Sequence, residues 1–308
     1  MRLGFIVRTL VALSVAGLAI GYVLTEPAWV AQDPLPFRTP DLANGQTMFD
    51  IGGCTHCHAT PGQDDRLRLG GGLALDTPFG TFKMPNISSD PGAGLGAWTE
   101  VQFVNAMLAG IGRKGEHLFP AFPYASYQRM PVDDVRDLYA VLKTVPPDPT
   151  ASQSHQLPLP FSIRRGVGAW KLLFMDGRPF VADPAKDAAH NRGAYLVEGP
   201  GHCAECHSRR NILGGIVPTG RFAGGPGATG TGWVPNITPH QDGLAEWSLR
   251  DMESFLQTGL APAGYPVEGE MAAIIANTSK LSPADRSAIA AYLNSLPARP
   301  GKRPSKTP

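Results

Sequence analysis

The chain contains the pentapeptide Cys54-Thr55-His56-Cys57-His58, and the same pattern returns as Cys203-Ala204-Glu205-Cys206-His207. A Cys-x-x-Cys-His pattern is typical of a haem that is attached covalently through two thiols. The His after the second Cys then presents its imidazole to the iron. The sequence therefore predicts two covalently bound haem c groups. The predicted attachment residues are Cys54, Cys57, Cys203 and Cys206, and the predicted iron ligands are His58 and His207.

A Cys-x-x-Cys pair also occurs in zinc sites, redox-active pairs and disulfides. A zinc ribbon places its second pair roughly 15–20 residues after the first, whereas Cys54 and Cys203 are 149 positions apart. No βαβ pattern of a thioredoxin-like protein surrounds either pair. None of these alternatives explains why a His follows the second Cys in both copies, so haem attachment is the preferred interpretation.

Length and composition indicate two small, loop-rich domains. The chain has 308 residues, which is enough for about two domains. Its formal net charge is +1, so charge gives no argument for a nucleic acid or an acidic partner. Glycine (36) and proline (30) are abundant, as expected where a haem replaces much of the protein core. The periodic segments are helical and few stretches alternate as strands do, so we expect a mainly α fold.

An internal repeat connects the two haem motifs. Pro85-Asn86-Ile87 returns as Pro235-Asn236-Ile237 after 150 positions, and Trp98-Thr99 returns as Trp247-Ser248 after 149. In each copy a short helix is predicted before the haem motif, a second helix opens at the Thr or Ser that follows the Trp, and a terminal helix comes last. The predicted fold class is therefore mainly α, with two tandem class I-like cytochrome c domains.

The repeat also sets the predicted domain boundaries. The first cytochrome c domain spans residues 38–146, and the second spans residues 186–299. Between them, residues 147–185 form a Pro-rich linker that contains a short helix near residues 163–175. Residues 300–308 form a basic, Pro-rich tail that we expect to be disordered.

Residues 1–31 are predicted to be a signal or membrane-anchor segment. Two arginines precede an apolar run over residues 10–24, which is an export signature. Glu26 and Trp29 occupy positions where signal peptidase requires small residues. We therefore favour an uncleaved N-terminal helix that anchors the protein on the periplasmic side of the bacterial inner membrane. Cleavage after Ala31, with release into the periplasm, is the alternative.

An electron-carrying haem usually has a second protein ligand, and Met in that position raises the reduction potential. Met271, in the loop predicted before the second terminal helix, is the candidate for the second iron. Met130, directly before the first terminal helix, is the candidate for the first iron. Phe122 lies nearer the position that corresponds to Met271, and a phenyl ring cannot bind iron. His117, Met84 and the absence of any protein ligand stay open as alternatives.

Several further segments resemble one family along roughly residues 40–297. They are Thr77-Pro78-Phe79-Gly80-Thr81-Phe82, His117-Leu118-Phe119-Pro120-Ala121-Phe122-Pro123-Tyr124 and Glu268-Gly269-Glu270-Met271-Ala272. With the haem motifs and the Pro-Asn-Ile turns, they resemble the cytochrome c subunits of membrane-bound bacterial alcohol dehydrogenases and related dehydrogenase-associated cytochromes. Met271 lies in the segment that matches the family's loop with the Met ligand of the second haem.

The resemblance implies a partner and a direction of electron flow. Family members accept electrons from a separate dehydrogenase subunit that is built on pyrroloquinoline quinone, flavin or molybdenum. They pass the electrons to quinone or to a further cytochrome. The alcohol dehydrogenase subunits carry three haems, whereas this chain has motifs for two, so a shorter two-haem relative fits better.

Two function classes are compatible with these features. The leading hypothesis is an electron-transfer subunit of an oxidoreductase complex, which has no substrate of its own and carries electrons from a partner dehydrogenase into the respiratory chain. The alternative is a dihaem enzyme, such as a peroxidase or a thiosulfate-oxidising cytochrome. An enzyme of that kind needs one iron with an open or displaceable ligand position. The second ligand of the first haem therefore separates the two classes.

Overall fold

The computed structural model describes residues 2–230 and 232–301, and it is mainly helical, as predicted. The helices of the first half are α1 (Arg2–Leu24), α2 (Leu42–Ile51), α3 (Cys54–His58), α4 (Glu100–Ala109), α5 (Tyr124–Tyr127) and α6 (Val132–Leu142). Those that follow are α7 (Arg164–Phe174), α8 (Ala188–Glu198), α9 (Cys203–Cys206), α10 (Leu249–Thr258), α11 (Glu270–Thr278) and α12 (Pro283–Ser295). The strands are β1 (Ala74–Thr77), β2 (Gly80–Lys83), β3 (Gly225–Pro226) and β4 (Trp233–Val234).

The helices begin at side chains that cap their free backbone N–H groups. Thr99 and Ser248 form capping boxes with the third residues of α4 and α10, at the positions predicted from the sequence. Asp41 accepts hydrogen bonds from the first turn of α2, and Ser282 does so for α12. A cap of this kind stabilises a helix by about 1 kcal/mol. The same local signals therefore fix corresponding helices in both halves of the chain.

In each half the helix before the haem motif crosses the terminal helix at a glycine. α2 packs against α6, and α8 packs against α12. A methyl group added at Gly45 would collide with the carbonyl oxygen of Asp137, and one added at Gly193 would collide with that of Ala288. Only glycine permits this approach of one helix backbone to another. The equivalent crossings give the two halves the same framework around their haem motifs.

One apolar core runs through both halves. Met48, Leu142, Leu196 and Leu293 belong to a single cluster of buried side chains. A buried contact within this cluster is the hydroxyl of Tyr195, which lies 3.5 Å from the sulfur of Met48. Burying a side chain of this size contributes about 1.5–3 kcal/mol. The halves are therefore packed together rather than connected only by a flexible chain.

The structure adds two short antiparallel hairpins to the predicted helices. In the first, β1 pairs with β2 so that Ala74 faces Lys83 and Thr77 faces Gly80. In the second, β3 pairs with β4 and Gly225 faces Val234. Both hairpins lie between a haem motif and the Pro-Asn-Ile turn that follows it. Strands of two to four residues are too short for an alternating pattern to be recognised in the sequence.

Met271 lies in the first turn of α11, not in the loop that the sequence predicts. Ala and Met are strong helix formers, and the segment Glu270–Thr278 is rich in them. The hydroxyl of Thr278 donates a hydrogen bond of 2.6 Å to the carbonyl of Leu256, which fixes α11 against α10. The predicted loop before the second terminal helix is therefore wrong for this segment.

The predicted linker is bonded to the first half instead of being a free spacer. Asp148 has no exposed surface, and its carbonyl accepts a hydrogen bond of 2.7 Å from the Asn86 side chain. Gln156 forms a bridge with Thr81. The short helix predicted in this segment is present as α7. The Pro-rich composition of the segment gave no indication of these hydrogen bonds.

The beginning of the predicted disordered tail is also bonded to the protein. The backbone N–H of Gly301 donates to Asp242 at 3.1 Å, and the carbonyl of Pro300 accepts from Arg209 at 3.2 Å. The prediction of disorder is therefore wrong for residues 300 and 301. The rest of that tail, residues 302–308, lies outside the described residues.

The N-terminal helix α1 contains 21 residues, Gly4–Leu24, that are long and apolar enough to cross a membrane. The chain that follows α1 is bonded to α4. The side chain of Asn105 accepts hydrogen bonds from the backbone N–H groups of Val30 and Ala31, at 2.8 and 3.1 Å. It also donates to the carbonyl of Ala31 at 2.9 Å. We call this contact the Asn105 clamp.

Candidate haem sites

The imidazoles of the two haem motifs are held in the same way. His58 Nδ1 donates a hydrogen bond of 2.8 Å to the carbonyl of Pro85, and His207 Nδ1 donates one of 2.8 Å to the carbonyl of Pro235. With Nδ1 protonated, the lone pair of Nε2 is left to bind a metal. Burial lowers the pKa of both rings, although the proline carbonyls oppose the shift. Both imidazoles are therefore neutral at pH 7, as an iron ligand must be.

Asparagine side chains fix the turns that supply these two carbonyl groups. Asn86 accepts a hydrogen bond of 2.8 Å from the N–H of Ser88, and Asn236 accepts one of 2.8 Å from the N–H of Thr238. Both asparagines also donate to a carbonyl beyond the terminal helix of their half, at 2.7 Å in each case. The repeated Pro-Asn-Ile segment is visible in the sequence, but its role as the support of the His was missed.

The four cysteines are free thiols; Cys54, Cys57 and Cys203 are partly buried, and Cys206 is an exposed residue. Burial raises the pKa of Cys54 and Cys203 to about 12 and that of Cys57 to about 11, and it also raises the pKa of Cys206. Redox-active cysteines have a lowered pKa, because the thiolate is the reactive form. The donor set of two thiols with a raised pKa and one oriented imidazole per motif therefore fits a covalently attached haem better than a redox pair.

The predicted second ligands lie in different surroundings. Met271 is partly buried at the start of α11. Met130 is 2% exposed within the apolar core, directly before α6. Both assignments stay predictions.

The two alternative ligands of the first haem are engaged elsewhere. His117 Nε2 donates a hydrogen bond of 2.9 Å to the carbonyl of Thr25, at the end of α1. Met84 directly precedes Pro85, whose carbonyl holds His58, and it packs in a cluster with Phe82 and Phe119. Met84 therefore lies beside the proximal His, whereas a second ligand has to approach from the opposite side of the haem.

The first haem motif contacts both ends of α11, and residues just before the two motifs contact each other. The hydroxyl of Thr55 donates a hydrogen bond of 3.0 Å to the side chain of Asn277. His56 Nε2 lies 2.7 Å from a carboxylate oxygen of Glu270, the residue before Met271. His202, which precedes the second motif, donates to the carbonyl of Gly52 at 3.3 Å. Sequence reasoning treated His56 and His202 as packing or surface groups and gave no sign that they join the two sites.

Comparisons with known proteins indicate the family of the chain. The family model named cytochrome c matches residues 42–146. A protein of Cereibacter sphaeroides described as "Diheme cytochrome c-type" is 43% identical over 288 residues, which are 92% of this chain and 95% of that protein.

Two dehydrogenase subunits are more distant relatives. The fructose dehydrogenase cytochrome subunit of Gluconobacter japonicus is 37% identical over 93% of this chain and 58% of its own length. The cytochrome c subunit of the alcohol dehydrogenase (quinone) of Gluconobacter oxydans is 34% identical over 84% of this chain and 55% of its own length. The chain thus spans little more than half of these two subunits but almost all of the Cereibacter protein. It belongs to the family of dihaem c-type cytochromes and has the cytochrome c fold.

Proposed function

We propose that the protein is an electron-transfer subunit that binds two haem c groups and accepts electrons from a partner dehydrogenase. The observation that carries the proposal is the matched pair of hydrogen bonds from His58 and His207 to proline carbonyls, beside two free thiols in each motif. A bound haem supplies reversible one-electron chemistry at iron. The chain supplies the attachment through Cys54, Cys57, Cys203 and Cys206, and the proximal ligands His58 and His207. Met271 is the proposed second ligand of the second iron.

We assign the two haems to two tandem domains, residues 38–146 and residues 186–299, joined by residues 147–185. Support comes from the equivalent helix crossings at Gly45 and Gly193 and from the equivalent caps of α4 and α10. Thr55 and His56 of the first motif contact α11 of the second half. We propose that electrons pass between the two haems through this packed region. Each half then contributes one haem to a single two-haem unit.

The partner is assigned from the relatives. The related cytochrome subunits belong to fructose, alcohol and gluconate dehydrogenases, so a dehydrogenase is the proposed electron donor. Quinone or a further cytochrome of the respiratory chain is the proposed acceptor. These roles need no substrate-binding site in the chain itself.

We place the protein on the periplasmic side of the inner membrane, with α1 retained as an anchor. The Asn105 clamp supports retention, because Asn105 has no exposed surface and three of its hydrogen bonds go to Val30 and Ala31. Cleavage after Ala31 would remove Val30 and Ala31 with the signal segment and leave the buried Asn105 side chain without these partners. Mass analysis of the mature chain tests the assignment: an intact N-terminal segment is expected, and a chain that begins at Gln32 would contradict it.

The test of the electron-transfer proposal uses the holoprotein in membranes. The pyridine haemochrome assay of the denatured chain should count two haems that acid-acetone does not extract. A dehydrogenase should co-purify with the protein, and its substrate should reduce both haems. One haem per chain, extractable haem, or haems that no co-purifying dehydrogenase reduces would contradict the proposal.

A further inference from the structure

The loop between α4 and the terminal helix can be aligned between the two halves from its hydrogen bonds. The N–H of Leu118 donates to the carbonyl of Gly110 at 2.8 Å, and the N–H of Val267 donates to the carbonyl of Gly259 at 2.8 Å. These two bonds are related by a shift of 149 positions. Continuing this register by four residues places Phe122 where the second half has Met271.

A second pair of bonds aligns the end of the same loop. The N–H of Met130 donates to the carbonyl of Tyr127 at 2.8 Å, and the N–H of Leu281 donates to the carbonyl of Thr278 at 3.2 Å. Here the shift is 151 positions, because α11 is longer than α5. Met130 therefore corresponds to Leu281. Both are buried in the core, at 2% and 5% exposure.

This register gives Met130 and Phe122 different roles. Leu281 cannot bind iron and packs in front of its terminal helix, so the position that it shares with Met130 is a packing position. The position shared by Phe122 and Met271 lies earlier in the loop. In the first half it holds a phenyl ring, which has no lone pair for a metal.

Aromatic rings surround Phe122. Its ring centroid lies 5.5 Å from that of Tyr127 and 6.2 Å from that of Tyr124. Tyr127 belongs to the apolar cluster against which Cys54 and Phe122 pack, and its hydroxyl reaches the carbonyl of Gly52, two residues before Cys54. Both phenol hydroxyls already donate to backbone carbonyls, Tyr127 to Gly52 and Tyr124 to Leu118. This wall of the first site is therefore apolar and offers no free hydrogen-bond donor from either tyrosine.

Three imidazoles in the motif regions and in this loop are engaged. His56 pairs with Glu270, His202 donates to Gly52 and His117 donates to Thr25. We propose that Phe122 covers the distal side of the first haem and that no thioether or imidazole of the described residues binds the iron there. The site then takes a small uncharged iron ligand, of which carbon monoxide is the probe. This inference rests on the proposed attachment of a haem at Cys54 and Cys57.

The experiment is carbon monoxide binding to the reduced holoprotein, followed by absorbance. One of the two haems should bind carbon monoxide in the wild-type protein. Phe122→Met supplies a thioether at the position that Met271 occupies in the second half, and it should abolish this binding. Phe122→Leu also removes the ring but supplies no ligand, so it should keep the binding. Met130→Leu preserves volume and apolarity and should leave the spectrum and the ligand stoichiometry unchanged.

The pyridine haemochrome count, made on the same samples, distinguishes a failure of this inference from a failure of the proposed function. With two haems counted, a wild-type protein that binds no carbon monoxide overturns the inference while the proposed function stands. Binding that persists in Phe122→Met overturns it as well, as does a new binding site created by Met130→Leu. A count of one haem contradicts the proposed function, and the inference falls with it.

Discussion

The first haem site presents Phe122 where the second presents Met271, although the loops that hold these residues start from equivalent hydrogen bonds. Both loops begin after a helix that ends at a glycine with positive φ, Gly110 or Gly259. The loop geometry is thus fixed by backbone bonds and caps, in which the side chains of Phe122 and Met271 take no part. A change at this position can therefore alter the iron chemistry of one half without altering its fold.

The two halves also differ in how they hold the rest of the chain. Asn105 of α4 clamps the segment after α1, whereas the corresponding residue of α10 is the exposed Ser254. Asp137 of α6 binds Arg38 and Asn44, whereas the corresponding residue of α12 is Ala288. The first half therefore carries polar contacts that attach flanking segments, and the second half lacks them at these positions.

The largest effect is expected when one haem is removed. In Cys203→Ala/Cys206→Ala, the second half should lose its haem, and residues 186–299 should become protease-sensitive, because their apolar side chains lose the group they surround. The pyridine haemochrome assay should count one haem instead of two. The matched variant Cys54→Ala/Cys57→Ala should lose the other haem. Equal haem content in both variants and the wild type would contradict the assignment.

Met271→Phe gives the second half the residue type that the first half has at the corresponding position, Phe122. We expect the second haem to lose its thioether ligand, so its reduction potential should fall and carbon monoxide should bind to two haems per chain instead of one. Redox titration and carbon monoxide difference spectra measure the two effects. Met252→Leu is the control, because Met252 is a buried core residue of α10. An unchanged potential in Met271→Phe would show that Met271 is not an iron ligand.

Asn105→Ala should destabilise the first half by about 2–3 kcal/mol, because it leaves the backbone N–H groups of Val30 and Ala31 without their partner. Chemical denaturation of the holoprotein measures the free energy of unfolding. Ser254→Ala alters the corresponding exposed position and should change stability by less than about 0.5 kcal/mol. Equal stability of the two variants would mean that the clamp contributes nothing.

The smallest effect concerns Asp137, whose side chain is 1% exposed. Burial alone would raise its pKa, but hydrogen bonds from Arg38, Asn44 and the N–H of Asp41 outweigh burial and lower it. A carboxylate with a lowered pKa stabilises the fold above the unfolded value of about 3.9, and this contribution is lost as the pH falls through the folded value. Asp137→Asn should therefore cost about 1–2 kcal/mol at pH 7.

The pH dependence of unfolding checks the sign of this last effect. The stability difference between wild type and Asp137→Asn should shrink as the pH is lowered below about 4. Ala288→Asn, at the corresponding position of the second half, should show no such pH dependence. A difference that stays constant from pH 7 to pH 3 would exclude an ionised Asp137 as the cause.

The helices and the repeat could be predicted from the sequence, because their signals are local. Thr99, Ser248 and Ser282 lie directly at the helix starts that they cap, and the haem motifs have a fixed spacing. The Asn105 clamp could not be predicted in this way, since its partners lie 74 and 75 positions away. The same holds for the contact between His56 and Glu270, which depends on how the two halves pack.

The position of Met271 shows a further limit. The sequence placed a ligand before the second terminal helix but not the helix α11 around it, because a helix of 9 residues depends on tertiary packing more than on the propensity of its residues. For the first iron, the sequence predicted Met130 as the ligand, although Phe122 lies nearer the position that corresponds to Met271. Hydrogen bonds of the folded loop were needed to align each of them with a residue of the second half.

The Asn105 clamp also limits how far the protein can reach from a bilayer. Leu24 ends α1 and Val30 is already bonded to α4, so the intervening chain spans at most about 20 Å even when fully extended. Thr25 is itself bonded to His117, which shortens this tether further. With α1 in the membrane, the first half stays against the lipid surface. Its encounters with a membrane-bound acceptor are then a search in two dimensions, at a local concentration that a released protein would not reach.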